Sequence, residues 1–247
     1  MPLEFLGYGA RIGPGLLLVA LCYWLTRSDR DPLLRIVLLI LGFVLIRDAM
    51  TPAGFWTFGV VGGTVPWLRF TDDAAVLLVF GASTLLVTAS VLRWAPDLRS
   101  LVRWGDLRPG TVALGLGGGV LAAAPVLLLS LAWPLEERGG HVAGTLLPAL
   151  LFLALAGNLA EEVLFRGFLQ GRLEQTFSPA RSAVLSGVLF ATCHVFLAST
   201  VTDVGWPLLA FTLLEGLICA YLRLRRGLAP AVLAHGTAIF LLASGLP

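Results

Sequence analysis

The chain has 247 residues, of which 57% are hydrophobic and only 13% charged, with a formal net charge of +2 and a mean hydropathy of +0.90. A soluble domain carries about 25% charged residues, so too few polar groups exist here to cover a water-facing surface. Disorder, which needs low hydrophobicity and high charge, is excluded as well. What remains is an integral membrane protein, with room at roughly 30 residues per helix and loop for about eight helices that each cross a bilayer.

The apolar segments in chain order fall at 13–26, 33–50, 74–94, 111–134, 145–165, 182–200, 206–222 and 228–246. The first lacks the positive patch of a signal peptide, since Glu4 precedes Arg11, and it reads as a retained helix. The runs are long and lack period-two alternation, so strands are not expected. The 47–73 connection carries Phe55, Trp56, Phe58 and Trp67. It reads either as a segment on the outer interface or re-entering the membrane, or as a plain hydrophobic loop. The expected fold class is therefore all-α: a polytopic bundle of about eight transmembrane helices. Residues 1–140 form a four-helix region without a recognised motif. The chemistry concentrates in 141–247.

All 17 basic residues are arginine. Loops after odd-numbered spans hold Arg27, Arg30 and Arg35, then Arg93, Arg99, Arg103 and Arg108, then Arg166, Arg172 and Arg181, then Arg223, Arg225 and Arg226, which is thirteen of the 17. Arg47, Arg69 and Arg138 fall in the even loops and Arg11 at the N-terminus. By the positive-inside rule the odd loops are cytoplasmic and both termini are outside, a parity that eight spans satisfy. Trp24, Trp94, Trp133 and Trp206 sit at span ends, where an interfacial belt forms. The scattered arginines form no basic face for nucleic acid. Cys22, Cys193 and Cys219 lie in apolar runs and form neither a disulfide framework nor a paired-cysteine zinc site. Arginine without lysine, with much Ala, Gly, Pro and Val, points to a GC-rich bacterial genome and hence to a multi-pass protein of a bacterial inner membrane.

Ionisable side chains inside a bilayer cost about 2.5–3.5 kcal/mol each on insertion scales, which makes them functional candidates. They are few here: Glu161, Glu162, His194, Glu215 and His235, with Asn158 and Arg166 beside the first two. Glu162 and Arg166 stand i,i+4 with the acid N-terminal, the favoured order for an ion pair. That pairing leaves Glu161 free, and a carboxylate in a low-dielectric site suits a general base. The competing explanation is a salt-bridge cluster at the end of a helix. His235 lies about seven residues from the inner end of its span, roughly 10 Å deep, and His194 about twelve residues in, roughly 18 Å. With Glu161 between those depths, the three can converge in one cavity facing the cytoplasm. Two imidazoles and a carboxylate also match a catalytic zinc shell of the His₂Glu type, Glu161, His194 and His235. The metal-free alternative has the same groups orient and deprotonate a water. Glu215 is either a partner that orients His194 or a protonated structural acid. Cys193 diverges from its neighbour His194 on a helix. Ser182 and Ser186 read as packing residues, and the Gly115-x-x-x-Gly119 spacing as close helix packing. His141 falls in an outer loop.

The series Glu161-Glu162-x-x-x-Arg166, Phe190-x-x-x-His194, a span containing Gly216, the basic turn Arg223-x-Arg225-Arg226-Gly227, and His235 resembles the CPBP intramembrane proteases, the family of the type II CAAX prenyl endopeptidases. The resemblance covers about 145–245. It implies an eight-helix protease with a cavity on the cytoplasmic side, acting on a membrane-associated protein or peptide. In it Glu161 activates water, and His194 holds that water or a metal and serves the oxyanion. Glu162 and Arg166 support the site, Phe190 and Asn158 border it, and His235 completes the polar cluster. The chain departs from the family's final His-x-x-x-Asn or His-x-x-x-Asp, because Ile239 stands four residues after His235. Asn158 is the favoured substitute, since Thr237 faces away from His235 on an ideal helix. Two other functions remain: a non-catalytic relative acting in immunity or partner binding, and a transporter that uses the carboxylates as a relay.

Overall fold

The computed structural model describes residues 2–245. The chain runs as α1 (Pro2–Leu25), α2 (Leu33–Asp48), a hairpin of β1 (Trp56–Val61) and β2 (Val65–Phe70), α3 (Ala74–Trp94), the single turn α4 (Pro96–Arg99) and α5 (Pro109–Ser130). It continues through α6 (Leu147–Glu162), a π-helical stretch Val163–Leu169, α7 (Gln170–Leu173), α8 (Pro179–Thr192), α9 (Trp206–Arg226) and α10 (Leu228–Ala243). Residue 246, in the expected last span, lies outside the described residues.

Helix starts follow local chemistry. Asp73 accepts from the backbone N–H of Ala75 at 2.8 Å and Val76 at 3.2 Å, satisfying orphan donors at the start of α3. Pro109, Pro179 and Pro207 stand in the first turns of α5, α8 and α9, where no N–H is needed. Six helical stretches among the described residues are long and apolar enough to cross a membrane: Phe5–Leu25, Ala74–Trp94, Pro109–Ser130, Gly144–Leu173, Pro179–Val201 and Trp206–Arg226. α2 and α10 have 16 residues each, about 24 Å of helix against a hydrocarbon core of about 30 Å. Large apolar side chains such as Leu17, Leu86 and Leu128 project outward from the bundle, as a lipid-facing surface requires.

The two ends of the bundle are distinct. At one, Arg172 donates to both oxygens of Asp31 at 2.9 and 2.7 Å. There Arg35 also pairs with Asp97 and Arg223 with Glu174. The backbone N–H groups of Leu228 and Ala229 donate to the carbonyls of Arg103 and Trp104 at 2.7 and 2.9 Å. Gly105 (φ +77°) lies so close to Arg226 O that no Cβ fits. This is the arginine-rich end. At the other end Arg69 of the hairpin donates to Gly140 O at 3.1 Å and Leu242 O at 3.0 Å.

Three expectations change here. The 47–73 connection is an antiparallel hairpin with Trp56 opposite Phe70 and Val61 opposite Val65. Its strands are aromatic and β-branched, and its turn is Gly62-Gly63, both with positive φ (+56° and +67°), the chemistry of a tight hairpin. Arg166 is not a loop residue: it is fully buried at the centre of the bundle. Arg47 likewise belongs to α2 and is buried. The glycines of α5 pack as expected. A Cβ on Gly115 would meet Leu233 and Pro230, and one on Gly119 would meet Ala234 O and Thr237, so α5 lies directly against α10. Thr237 thereby faces α5.

Candidate active site

The expected residues of α6, of α8 with the turn that follows it, and of α10 converge. Glu161 and Glu162 end α6, and Arg166 sits in the π-helical stretch that continues it. Such wider turns concentrate at functional sites because they re-aim side chains within an otherwise regular helix. Arg166 Nη1 donates to Glu162 Oε1 at 2.8 Å, as the i,i+4 spacing predicts, and Nη2 donates to Gly216 O at 2.9 Å. Its guanidinium lies 4.3 Å over the ring of Phe190, which itself meets the His194 and His235 rings at centroid distances of 4.7 and 5.5 Å.

His235 Nδ1 donates to the same Glu162 oxygen at 2.9 Å. Its Nε2 lies 3.4 Å from Glu161 Oε2 and 3.5 Å from Glu215 Oε2. Glu215 is therefore a partner of His235 and not of His194, contrary to the expectation. The distance is set by α9 packing on both α8 and α10. Glu161 makes only loose contacts, the 3.4 Å approach to His235 and one of 3.5 Å to Arg47 Nη1, so its oxygens keep lone pairs for a water. Asn158 donates its amide N–H to Ala154 O at 2.6 Å, one turn back on α6. Ser186 donates to Phe165 O at 3.0 Å, a packing role. Exposed His141 lies 3.7 Å from Glu136, far from the cluster in sequence and end of the bundle.

α2 supplies two site residues that sequence reasoning missed. Arg47 Nη1 lies 2.8 Å from His194 Nε2, Nη2 donates to Cys193 O at 2.8 Å, and Nε donates to Asp48 at 2.8 Å. Arg47 and Asp48 are each about 5% exposed. Their signal was present: a charged pair inside the 33–50 apolar run, as costly there as Glu161 in its own. The cysteine beside His194 contributes its carbonyl and not its thiol.

This arrangement does not fit a zinc shell. His194 Nδ1 faces Phe190 O at 2.8 Å and so carries the proton, which leaves Nε2 as the only metal-binding nitrogen. A guanidinium never deprotonates in a protein, and Arg47 donates into that lone pair. Among the described residues no group of three His, Cys, Asp or Glu is placed to hold a metal ion.

Residues 143–241 match the family model described as Type II CAAX prenyl endopeptidase Rce1-like. That segment, less than half of the chain, is similar to the Rce1-like family. No curated protein and no solved structure matches the chain. The Rce1-like segment contains Glu161, Glu162, Arg166, His194, Glu215 and His235, whereas Arg47 and Asp48 come from outside it.

An apolar cavity of about 1100 Å³, counting its mouth, adjoins the cluster. Glu161, His194, His235, Glu215 and Arg47 stand at one end of it. Trp56, Phe58, Trp67 and Phe70 of the hairpin stand at the other. Its remaining walls come from the hairpin-side halves of α2, α3, α6, α9 and α10. The cavity and the filled half of the bundle lie on opposite sides of the cluster. The arginine-rich half is filled by Ile36, Leu98, Phe165, Phe168, Phe190 and Leu228, and the open space lies on the hairpin side.

Proposed function

We propose that the protein is an intramembrane endopeptidase that hydrolyses a peptide bond of a membrane-associated protein or peptide. The observation that carries this reading is Glu161: a buried carboxylate without a tight partner, facing an apolar cavity, beside the His235 imidazole and the Arg47 guanidinium. In the reaction Glu161 takes a proton from a water in the cavity. The water oxygen attacks the scissile carbonyl carbon, and the carbonyl π electrons move to its oxygen. As the tetrahedral intermediate collapses, the C–N bond breaks and the proton on Glu161 passes to the leaving nitrogen, which restores the carboxylate. Glu162, held by Arg166 and His235, keeps Glu161 and His235 in register without touching substrate. Glu161 activates the water directly, because His194 Nε2 already accepts from Arg47.

In this reading the chain passes the membrane eight times, with α2 and α10 as short passages and both termini outside. The arginine-rich end is cytoplasmic, so the cavity opens outward and receives its substrate from the outer half of the bilayer. The test is cleavage of fluorogenic transmembrane peptides by the purified protein in liposomes. Cleavage is expected from the native protein and not from Glu161→Ala or His194→Ala proteins that remain folded. Equal cleavage by both variants overturns the proposal.

A further inference from the structure

Arg47 is buried near the end of α2, where it meets Asp48, Cys193 O and His194. Asp48, its closest carboxylate, is its own neighbour on α2, and Glu161 stays 3.5 Å away. Holding a charge at this depth costs several kcal/mol, a cost that suits function better than packing. Arg47 also borders the cavity. Of the other polar side chains along the wall, Glu161 and Glu215 are acids, His235 Nε2 faces those two carboxylates, and the rest are committed or uncharged. His194 Nδ1 donates to Phe190 O, His235 Nδ1 donates to Glu162, Asn158 donates to Ala154 O, and Thr84 donates to Phe80 O. Arg166 does not border the cavity. Among the described residues lining it, Arg47 is the one permanent cation. At residue 239, one turn beyond His235, the wall presents the apolar side chain of Ile239.

We propose that Arg47 is the oxyanion-stabilising residue of the site, with His194 acting as the acceptor that aims its guanidinium. This rests on the endopeptidase reading above. Amide hydrolysis places negative charge on the former carbonyl oxygen while Glu161 carries the water's proton. A preorganised donor must therefore stand beside Glu161 on the cavity side, in a place closed to bulk water. Arg47 Nη1 stands there, within 3.5 Å of Glu161 Oε1. Three anchors, Asp48 Oδ1, Cys193 O and His194 Nε2, fix its plane before substrate arrives. The resemblance implied that His194 serves the oxyanion; here His194 positions, and the cation from α2 meets the developing charge. The catalytic centre is consequently shared between the Rce1-like segment and the N-terminal helices.

The test is steady-state hydrolysis of a fluorogenic transmembrane peptide in liposomes by native protein, Glu161→Gln, Arg47→Gln, Arg47→Lys and Arg47→Gln/Ile239→Asn, with thermal midpoints measured alongside. Loss of one oxyanion donor lowers kcat by about 100- to 1000-fold. Because the contact is made in the transition state only, Arg47→Gln lowers kcat and kcat/KM together and leaves KM unchanged. An amide at residue 239 restores at least about tenfold of that loss by supplying a new donor from the same wall. Should Arg47→Gln unfold, Arg47→Lys with and without Ile239→Asn carries the same comparison. Activity of Arg47→Gln within threefold of native, with Glu161→Gln inactive, overturns the role of Arg47 and leaves the endopeptidase reading intact. Lost activity with a raised KM and no rescue by Ile239→Asn also overturns it, by marking a structural role. Native protein inert toward the peptides overturns both.

Discussion

Replacing Arg166 with Met keeps the length and much of the volume of the side chain and removes its charge. The fully buried guanidinium makes a 2.8 Å ion pair with Glu162, a 2.9 Å hydrogen bond to Gly216 O and a stacked contact over Phe190. The substitution strands Glu162, itself fully buried, with His235 as its one polar partner. Breaking a buried pair from one side costs about 3–5 kcal/mol, because the remaining charge stays desolvated. Removing both charges in Glu162→Gln/Arg166→Met recovers about 1–3 kcal/mol of this, the usual coupling between contacting residues. Reversible denaturant unfolding in detergent micelles measures all three variants. A destabilisation of Arg166→Met below about 1 kcal/mol, the range of exposed ion pairs, would refute the reasoning, as would a double variant less stable than the single one.

Other outcomes follow from the same geometry. Gly119→Ala places a Cβ 2.5 Å from Ala234 O and Thr237 Cβ, an overpacking worth about 1–3 kcal/mol. Gly117→Ala, with open space around it, gains about 0.5–1 kcal/mol from helix propensity, and unfolding curves separate the two. In a cysteine-free background, a cysteine replacing exposed Gly63 at the hairpin tip is expected to react with an impermeant maleimide on intact cells. One replacing exposed Arg225 is expected to react only after permeabilisation, and the reverse pattern would turn the cavity toward the cytoplasm.

The C-terminal cluster was readable because charge is expensive in an apolar run. Glu161, Glu162, His194 and His235 stood out by location alone, and the i,i+4 rule paired Glu162 with Arg166 correctly. The same cost marked Arg47 and Asp48, but they lie at the end of their run, where the positive-inside count absorbed Arg47 into a loop. The hairpin lacks the long period-two pattern of a barrel, and its local cue is the Gly62-Gly63 turn between aromatic strands. Depth estimates from helix ends allowed Glu161, His194 and His235 to meet in one cluster. They carried nothing about which half of the bundle is filled, and that was decided by Phe165, Phe168 and Phe190 packing against α2 and α4. The partner of Glu215 depended on how α9 leans on α10, a tertiary fact with no trace in spacing.

The central claim is that Glu161 makes the water nucleophilic. New protein N-termini in membranes from cells producing native protein or Glu161→Gln at equal level test it most directly. Loss of a general base slows hydrolysis by about 10²- to 10⁴-fold, so a defined set of N-termini at peptide bonds near the outer membrane face should be present with native protein and absent with Glu161→Gln. The same N-termini at undiminished abundance with Glu161→Gln would contradict the account.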